Sequence, residues 1–153
     1  MVRRLARWLR TVGYDTAYHN PISDDELASL ARREGRIVLT RDPGLPGRFA
    51  DLRIHVLRDE SPWIQFREVI LEFGLDLEHG LFTRCTVCNA RVTPVSKEDF
   101  REEIPPRVYQ KVCEFYRCPE CDRLYWPGTH VQKIKARLDE MRETISKGKE
   151  PNE

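Results

Sequence analysis

Two Cys-x-x-Cys pairs, Cys85/Cys88 and Cys118/Cys121, constrain this chain more than anything else in it. A C-x-x-C on a tight turn aims two thiolates at one point, and two such knuckles complete a tetrahedral Zn²⁺ site with bonds of about 2.3 Å. Four thiolates leave no open position for substrate. A site of this kind is therefore structural, and it stabilises a unit too small to fold on apolar burial alone. The 29 residues between the knuckles exceed the about 15–20 of an ordinary ribbon. Such an insertion is tolerated because loop closure costs only about 0.6 kcal/mol per doubling of length. Disulfides are the competing reading. Five cysteines make an odd count and the N-terminus shows no secretory signal, so reduced, metal-bound thiols in a cytoplasmic setting are expected. Cys113 is expected as a buried small hydrophobe outside the site, and His130 either as the first residue of a capped helix or as a ligand or phosphate contact.

No run of consecutive apolar residues exceeds three, against the about 20 of a bilayer span and the about 7 of a signal peptide's core, which sets membrane and secreted readings aside. Lys and Arg total 26 against 25 Asp and Glu, a net charge of +1. That sum hides an uneven layout: residues 1–58 hold eleven Arg, no Lys and seven acids. Guanidinium groups suit bidentate phosphate contacts, and Arg3, Arg7 and Arg10 share one helical stripe.

Leu5, Trp8, Leu9 and Val12 recur at i, i+3, i+4 and i+7, predicting an amphipathic helix over 3–12 that Gly13 ends. Asp15 to His19 reads as a short strand closed by Asn20-Pro21. Ser23-x-x-Glu26 is a capping box, opening a helix that Gly35 stops. The apolar runs Arg36 to Thr40 and Arg53 to Leu57 suit strands buried on both faces, with a turn-rich loop over 42–47 between them. Ser61-Pro62 starts a helix with Trp63, Phe66, Ile70 and Phe73 on its core face, up to Gly74. Strands separated by such helices build βαβ units, so a three-layer α/β/α domain is expected over 1–80, opening unusually with a helix. From residue 84 the vocabulary changes to Cys, Pro and aromatics. A zinc ribbon is expected over 84–130, with short helical pieces at 95–100 and 105–113. A C-terminal helix over 131–147 follows, behind a Thr129-x-x-Gln132 capping box. Residues 147–153 are polar and expected to fray.

An α/β sheet presents functional groups at the carboxyl ends of its strands. Asp42 lies two residues beyond Thr40, Asp59 two beyond Leu57, and Asp24 and Asp25 occupy a first helical turn. Three or four carboxylates converging there would hold Mg²⁺ or Mn²⁺, hard ions that activate a water and clamp a scissile phosphate. Each has a plainer reading. Asp42-Pro43-Gly44 is a good turn, and Asp24 and Asp25 favour a helix N-terminus through the macrodipole.

The residues also resemble a family. Leu5-Ala-Arg-Trp-Leu-Arg10, Gly13-Tyr-Asp15, Asp24, Gly35 to Asp42 with its Thr-Arg-Asp, Gln65, and Phe73-Gly-Leu75 resemble the PIN-like Mut-seven C-terminal ribonuclease domain. So do Arg84-Cys-x-x-Cys88-Asn, Pro105 to Tyr109, Phe115 to Cys121 and Tyr125-Trp-Pro-Gly-Thr-His130, carrying the likeness to about residue 140. The resemblance implies a PIN-like α/β/α fold, a fused zinc ribbon and metal-dependent cleavage of RNA. It makes Asp42 and Asp24 metal ligands and leaves Asp25 and Asp59 to complete the site. In a nuclease of this kind Arg3, Arg7, Arg10 and Arg41 are expected to contact the nucleic-acid backbone. On this resemblance Met1-Val2-Arg3 stands where the family has Met-Leu-Gly, so the family's apolar first strand and terminal Asp are expected to be absent from the sequence, either because its reading frame starts further upstream or because the strand has been lost. A chain so arranged is expected to hold catalytic metal poorly.

Two functions compete. One is a PIN-like, Mg²⁺- or Mn²⁺-dependent endoribonuclease. The other is a catalytically impaired RNA- or ribosome-binding zinc-ribbon protein, using basic and stacking groups such as Arg91, Arg107, Arg123, Tyr116 and Trp126. A purely structural partner-binding protein is neither supported nor excluded.

Overall fold

A computed structural model describes residues 2–148. The first helix, α1, spans Val2–Thr11 and buries Leu5, Ala6 and Leu9. Helix α2, Asp24–Glu34, forms with the capping box complete: Ser23 Oγ accepts from the Glu26 N–H at 3.2 Å, and Glu26 Oε2 accepts from the Ser23 N–H at 2.9 Å. Gly35, left-handed at φ 63°, ends it. Strand β1, Val38–Thr40, pairs in parallel with β2, Ile54–Val56, setting Val38 opposite Ile54 and Thr40 opposite Val56. The expected loop between them contains a single helical turn, α3, Leu45–Arg48. Helix α4 follows at Pro62–Phe73.

Alternation along β1 divides the core. Leu39 packs toward a cluster of Leu5, Leu9, Phe66, Val69 and Ile70 from α1 and α4, whereas Val38 joins Ala31 and Leu45 on the opposite face. Helices thus cover both faces of the sheet, as the α/β expectation required. The buried face of α4 is Gln65, Phe66, Val69 and Ile70. Trp63 and Phe73 of the expected face pack against the same cluster, partly buried, with Trp63 edge-on to Trp8 at 4.7 Å between ring centroids.

The expected strand over 15–19 does not form. A strand needs a ladder partner, and Thr16 spends its backbone groups elsewhere: its N–H on Asn89 Oδ1 at 3.0 Å and its carbonyl on Arg10 Nε at 2.8 Å. Among the described residues the sheet is two strands wide. Beside β1 lies an apolar groove of about 560 Å³, walled by residues 14–19 and lined by Leu9, Leu27, Leu30, Leu39 and Phe73.

The second half is a three-stranded antiparallel sheet, β3 (Thr93–Val95), β4 (Phe115–Arg117) and β5 (Leu124–Tyr125), in that order. The long insertion between the cysteine pairs supplies β3, a 3₁₀ turn at Lys97–Phe100 and helix α5, Pro106–Lys111. The last helix, α6, runs Thr129–Lys147 and returns Leu138 and Met141 to the core of α1 and α4. Its expected capping box is not made: Thr129 lies inside the helix and Gly128 takes the N-cap without a side-chain bond. The expected frayed tail falls, from residue 149 onward, outside the described residues.

Candidate functional site

The two cysteine knuckles are built alike. In the first, the Asn89 N–H donates to the Cys85 carbonyl and the Cys85 N–H to the Ala90 carbonyl. In the second, Asp122 and Arg123 stand in the same relation to Cys118, all four bonds being 2.8–3.0 Å. Asn89 (φ 77°) and Asp122 (φ 60°) take the left-handed position in their turns, a conformation their short polar side chains tolerate. The result is four Sγ atoms within 4.8 Å of one another. Cys85 and Cys121 are 3.5 Å apart and Cys88 and Cys118 3.3 Å. Four sulfurs at about 2.3 Å from a tetrahedral Zn²⁺ are about 3.8 Å apart, so this donor set fits the ion with small adjustment.

Cys85 and Cys118 are fully buried. Burial disfavours the Cys85 thiolate, but hydrogen bonds from the Tyr125 hydroxyl, at 3.0 Å, and from the Cys88 and Val87 N–H groups outweigh it and bring its pKa down to about 6. Burial pushes Cys88 up to about 12, and Cys121 is raised as well: the Arg123 N–H lowers it, but burial and the neighbouring sulfurs of Cys85 and Cys118 together outweigh that bond. All five cysteines are free thiols. Cys113 is exposed rather than buried, correcting the expectation for it, and like the exposed His130 it stands outside the four-sulfur group.

The carboxylates divide. Asp24, on the first turn of α2, and Asp42, just past β1, meet on one guanidinium: Arg48 Nη2 donates to Asp24 Oδ2 and, at 3.2 Å, to Asp42 Oδ2. Asp24 above all, by hydrogen bond and charge, holds Arg48 more firmly protonated. The turn reading of Asp42 holds as well, since its Oδ1 accepts from the Gly44 N–H at 2.8 Å. Asp25 is the next residue along α2, turned about 100° away. Asp59 is drawn to the start of α4, where its Oδ1 accepts from the Ser61 N–H at 2.7 Å and its carbonyl from Gln65 Nε2 at 2.8 Å. Among the described residues the four cysteines alone form a convergent group of three or more donors. Of the four expected carboxylates, Asp24 and Asp42 share one guanidinium and Asp59 is tied to the start of α4. Two carboxylates suffice for a hard ion such as Mg²⁺, which keeps most of its waters, and the Arg48 nitrogen marks a cationic position between them.

Arg3 and Arg7 lie exposed on the outer stripe of α1. Arg41 bonds Glu60 at 3.1 Å. Arg10 departs from its expected role. It is 5% exposed, and its guanidinium donates to the carbonyls of Thr16, Thr86 and Val87 at 2.8, 3.1 and 3.0 Å. At this turn the stripe it shares with Arg3 and Arg7 meets the first knuckle. Sequence reasoning missed Arg48, which no motif flags, and the role of Gln65, whose Oε1 is buried without a partner among the described residues. The apolar neighbours of Gln65 on α4 were the available signal that its side chain faces inward.

A family model, the Mut7-C RNAse domain, matches residues 1–138. No curated protein and no solved structure matches the chain. No helix among the described residues is long and apolar enough to cross a membrane.

Proposed function

The chain belongs to the Mut7-C RNAse domain family, and on that premise we propose that it is a PIN-like endoribonuclease, dependent on Mg²⁺ or Mn²⁺, acting on RNA phosphodiester bonds in the cytoplasm. One observation carries the reading: Asp24 and Asp42 converge on a single cationic position at the carboxyl end of β1. Those two carboxylates would hold the ion, which when bound activates a water and neutralises charge on the scissile phosphate. Thr40 Oγ1, accepting from the Asp42 N–H at 3.0 Å, fixes the loop that aims Asp42. Arg48, displaced from the pair, keeps a positive charge beside the phosphate, where charge stabilisation is worth most. Arg3 and Arg7 add diffuse attraction for the RNA backbone. Asp25 adds negative charge behind the pair and Asp59 orders the start of α4. The four cysteines would hold a structural Zn²⁺.

The test is cleavage of a labelled single-stranded RNA by the zinc-loaded chain, with and without added Mn²⁺. Expected is Mn²⁺-dependent cleavage that falls by about a hundredfold or more in Asp42→Asn while RNA affinity holds or rises. Cleavage indifferent to Mn²⁺ or to Asp42→Asn would overturn the reading. A second reading, RNA binding with impaired cleavage, is favoured by the Arg48 guanidinium that bridges Asp24 and Asp42. Tight RNA binding with no turnover at any Mn²⁺ concentration would select it.

A further inference from the structure

Four thiolates around Zn²⁺ make a doubly negative centre, and half-burying such a centre requires compensating donors or charge. Hydrogen bonds to ligating atoms, and the groups behind those bonds, therefore decide much of a metal site's affinity. The compensation here comes from across the chain. Cys85 accepts from the N–H groups of Val87 and Cys88. The same two peptide groups present their other ends, the carbonyls of Thr86 and Val87, to Arg10 Nη1 at 3.1 and 3.0 Å. A guanidinium, two peptide dipoles and a thiolate thus stand in line, each polarising the next. Asn89, which closes the knuckle, accepts from the Thr16 N–H at 3.0 Å and donates to Asp15 Oδ1 at 2.7 Å. Arg84, which opens it, donates to the Gly13 carbonyl at 3.1 Å.

We propose that Arg10 is a positioning residue of the four-cysteine metal site, holding the first knuckle in its metal-binding shape and balancing the thiolate charge through two peptide groups. Metal occupancy is thereby coupled to the order of residues 13–16, of which Tyr14, Asp15 and Thr16 line the groove beside β1. The inference rests on reading the four cysteines as a metal site, and it makes the ribbon and the α/β unit one cooperative structure rather than two tethered modules. It also explains an Arg buried at the end of α1, where a solvent-facing phosphate contact is expected from sequence.

The experiment has two arms. In the first, the wild-type chain is compared with Arg10→Gln and Arg10→Lys by competition of Zn²⁺ with a chromophoric chelator, and by the thiolate-to-metal absorption of the Co²⁺-loaded protein. Expected is a loss of affinity of about tenfold to a hundredfold in Arg10→Gln, with partial recovery in Arg10→Lys, which keeps the charge and loses the fork. In the second arm, amide hydrogen exchange of the wild-type chain is compared with and without metal. The Thr16 amide and its neighbours in 13–16 should lose protection together with residues 84–92. Equal affinity of Arg10→Gln and wild type overturns the inference, and so does protection at 13–16 that survives metal removal. The exchange arm needs no variant and stands if Arg10→Gln does not fold. A wild-type chain that takes up neither Zn²⁺ nor Co²⁺ overturns the four-cysteine reading itself, and the inference falls with it.

Discussion

Gly13 is the point at which the end of α1 meets the chain entering the ribbon, and its replacement by alanine can be worked through in magnitude. Its φ is +97°, a conformation that costs a residue with a β-carbon about 1–2 kcal/mol. A β-carbon there would sit 2.4 Å from the Gly80 carbonyl oxygen and 2.5 Å from its Cα. The clash is with backbone, so the two segments must part. Parting them strains the bonds that join them, Gly80 N–H to the Val12 carbonyl at 3.1 Å and Phe82 N–H to the Thr11 carbonyl at 2.9 Å. Losing two such bonds costs about 0.5–1.5 kcal/mol each. The total is about 2–5 kcal/mol, a large share of an ordinary domain's stability of about 5–15 kcal/mol. Gly74 is the internal control. Its φ is +59° and nothing lies within 4 Å of its would-be β-carbon, so Gly74→Ala bears the conformational cost alone. Urea unfolding of the metal-loaded protein, followed by tryptophan emission, should show Gly13→Ala unfolding about 0.5–1.5 M earlier than Gly74→Ala, for a slope of about 2 kcal/mol per M. Coincident midpoints would refute the close approach of Gly13 and Gly80.

Three other outcomes follow from the packing and the site. Phe66 is fully buried between α1 and the sheet, so Phe66→Ala should destabilise the protein by about 3–5 kcal/mol, read as a shifted unfolding midpoint; a change under about 1 kcal/mol would mean the core lies elsewhere. Ser23→Ala removes one half of an exposed capping box and should cost about 1 kcal/mol, with Ser23→Asp close to neutral in the same measurement. Zinc uptake releases protons from thiols that are still protonated in the free protein, so affinity falls as pH falls. Burial raises the Cys88 thiol, so its proton must leave as the metal enters. Zn²⁺ affinity by chelator competition should therefore rise from about pH 6 to about pH 8, and an affinity indifferent to pH would refute thiolate ligation.

The parts of this protein legible in its sequence are those whose causes lie within a few residues. Ser23 and Glu26 are three positions apart and cap each other wherever α2 is placed. Gly35 and Gly74 end their helices because the left-handed conformation is open to glycine locally. Each C-x-x-C carries the turn that aims its own two sulfurs, and the alternation of short apolar runs with amphipathic helices implies a covered sheet. At the candidate active site, Asp24 and Asp42 were legible as residues at the ends of neighbouring elements.

What failed to read from sequence depends on partners far along the chain. Residues 15–19 have the composition of a strand, but their backbone groups are claimed by Arg10 and by Asn89, which is 73 positions from Thr16. Thr129 and Gln132 have the spacing of a capping box, but the helix begins one residue too early for it to form. Asp59 has the placement of a third carboxylate and is turned instead to the start of α4. Arg10 shares a stripe with Arg3 and Arg7, yet the first knuckle covers the stripe at that turn. By itself the sequence determined the local turns, the caps, the order of elements and the four thiols able to hold a metal, because short-range sterics and ligand spacing act within a few residues. Only the tertiary structure decided which arginine faces solvent, which carboxylates meet and which peptide groups stand behind a thiolate, because those outcomes depend on packing between segments that nothing in their own sequence brings together.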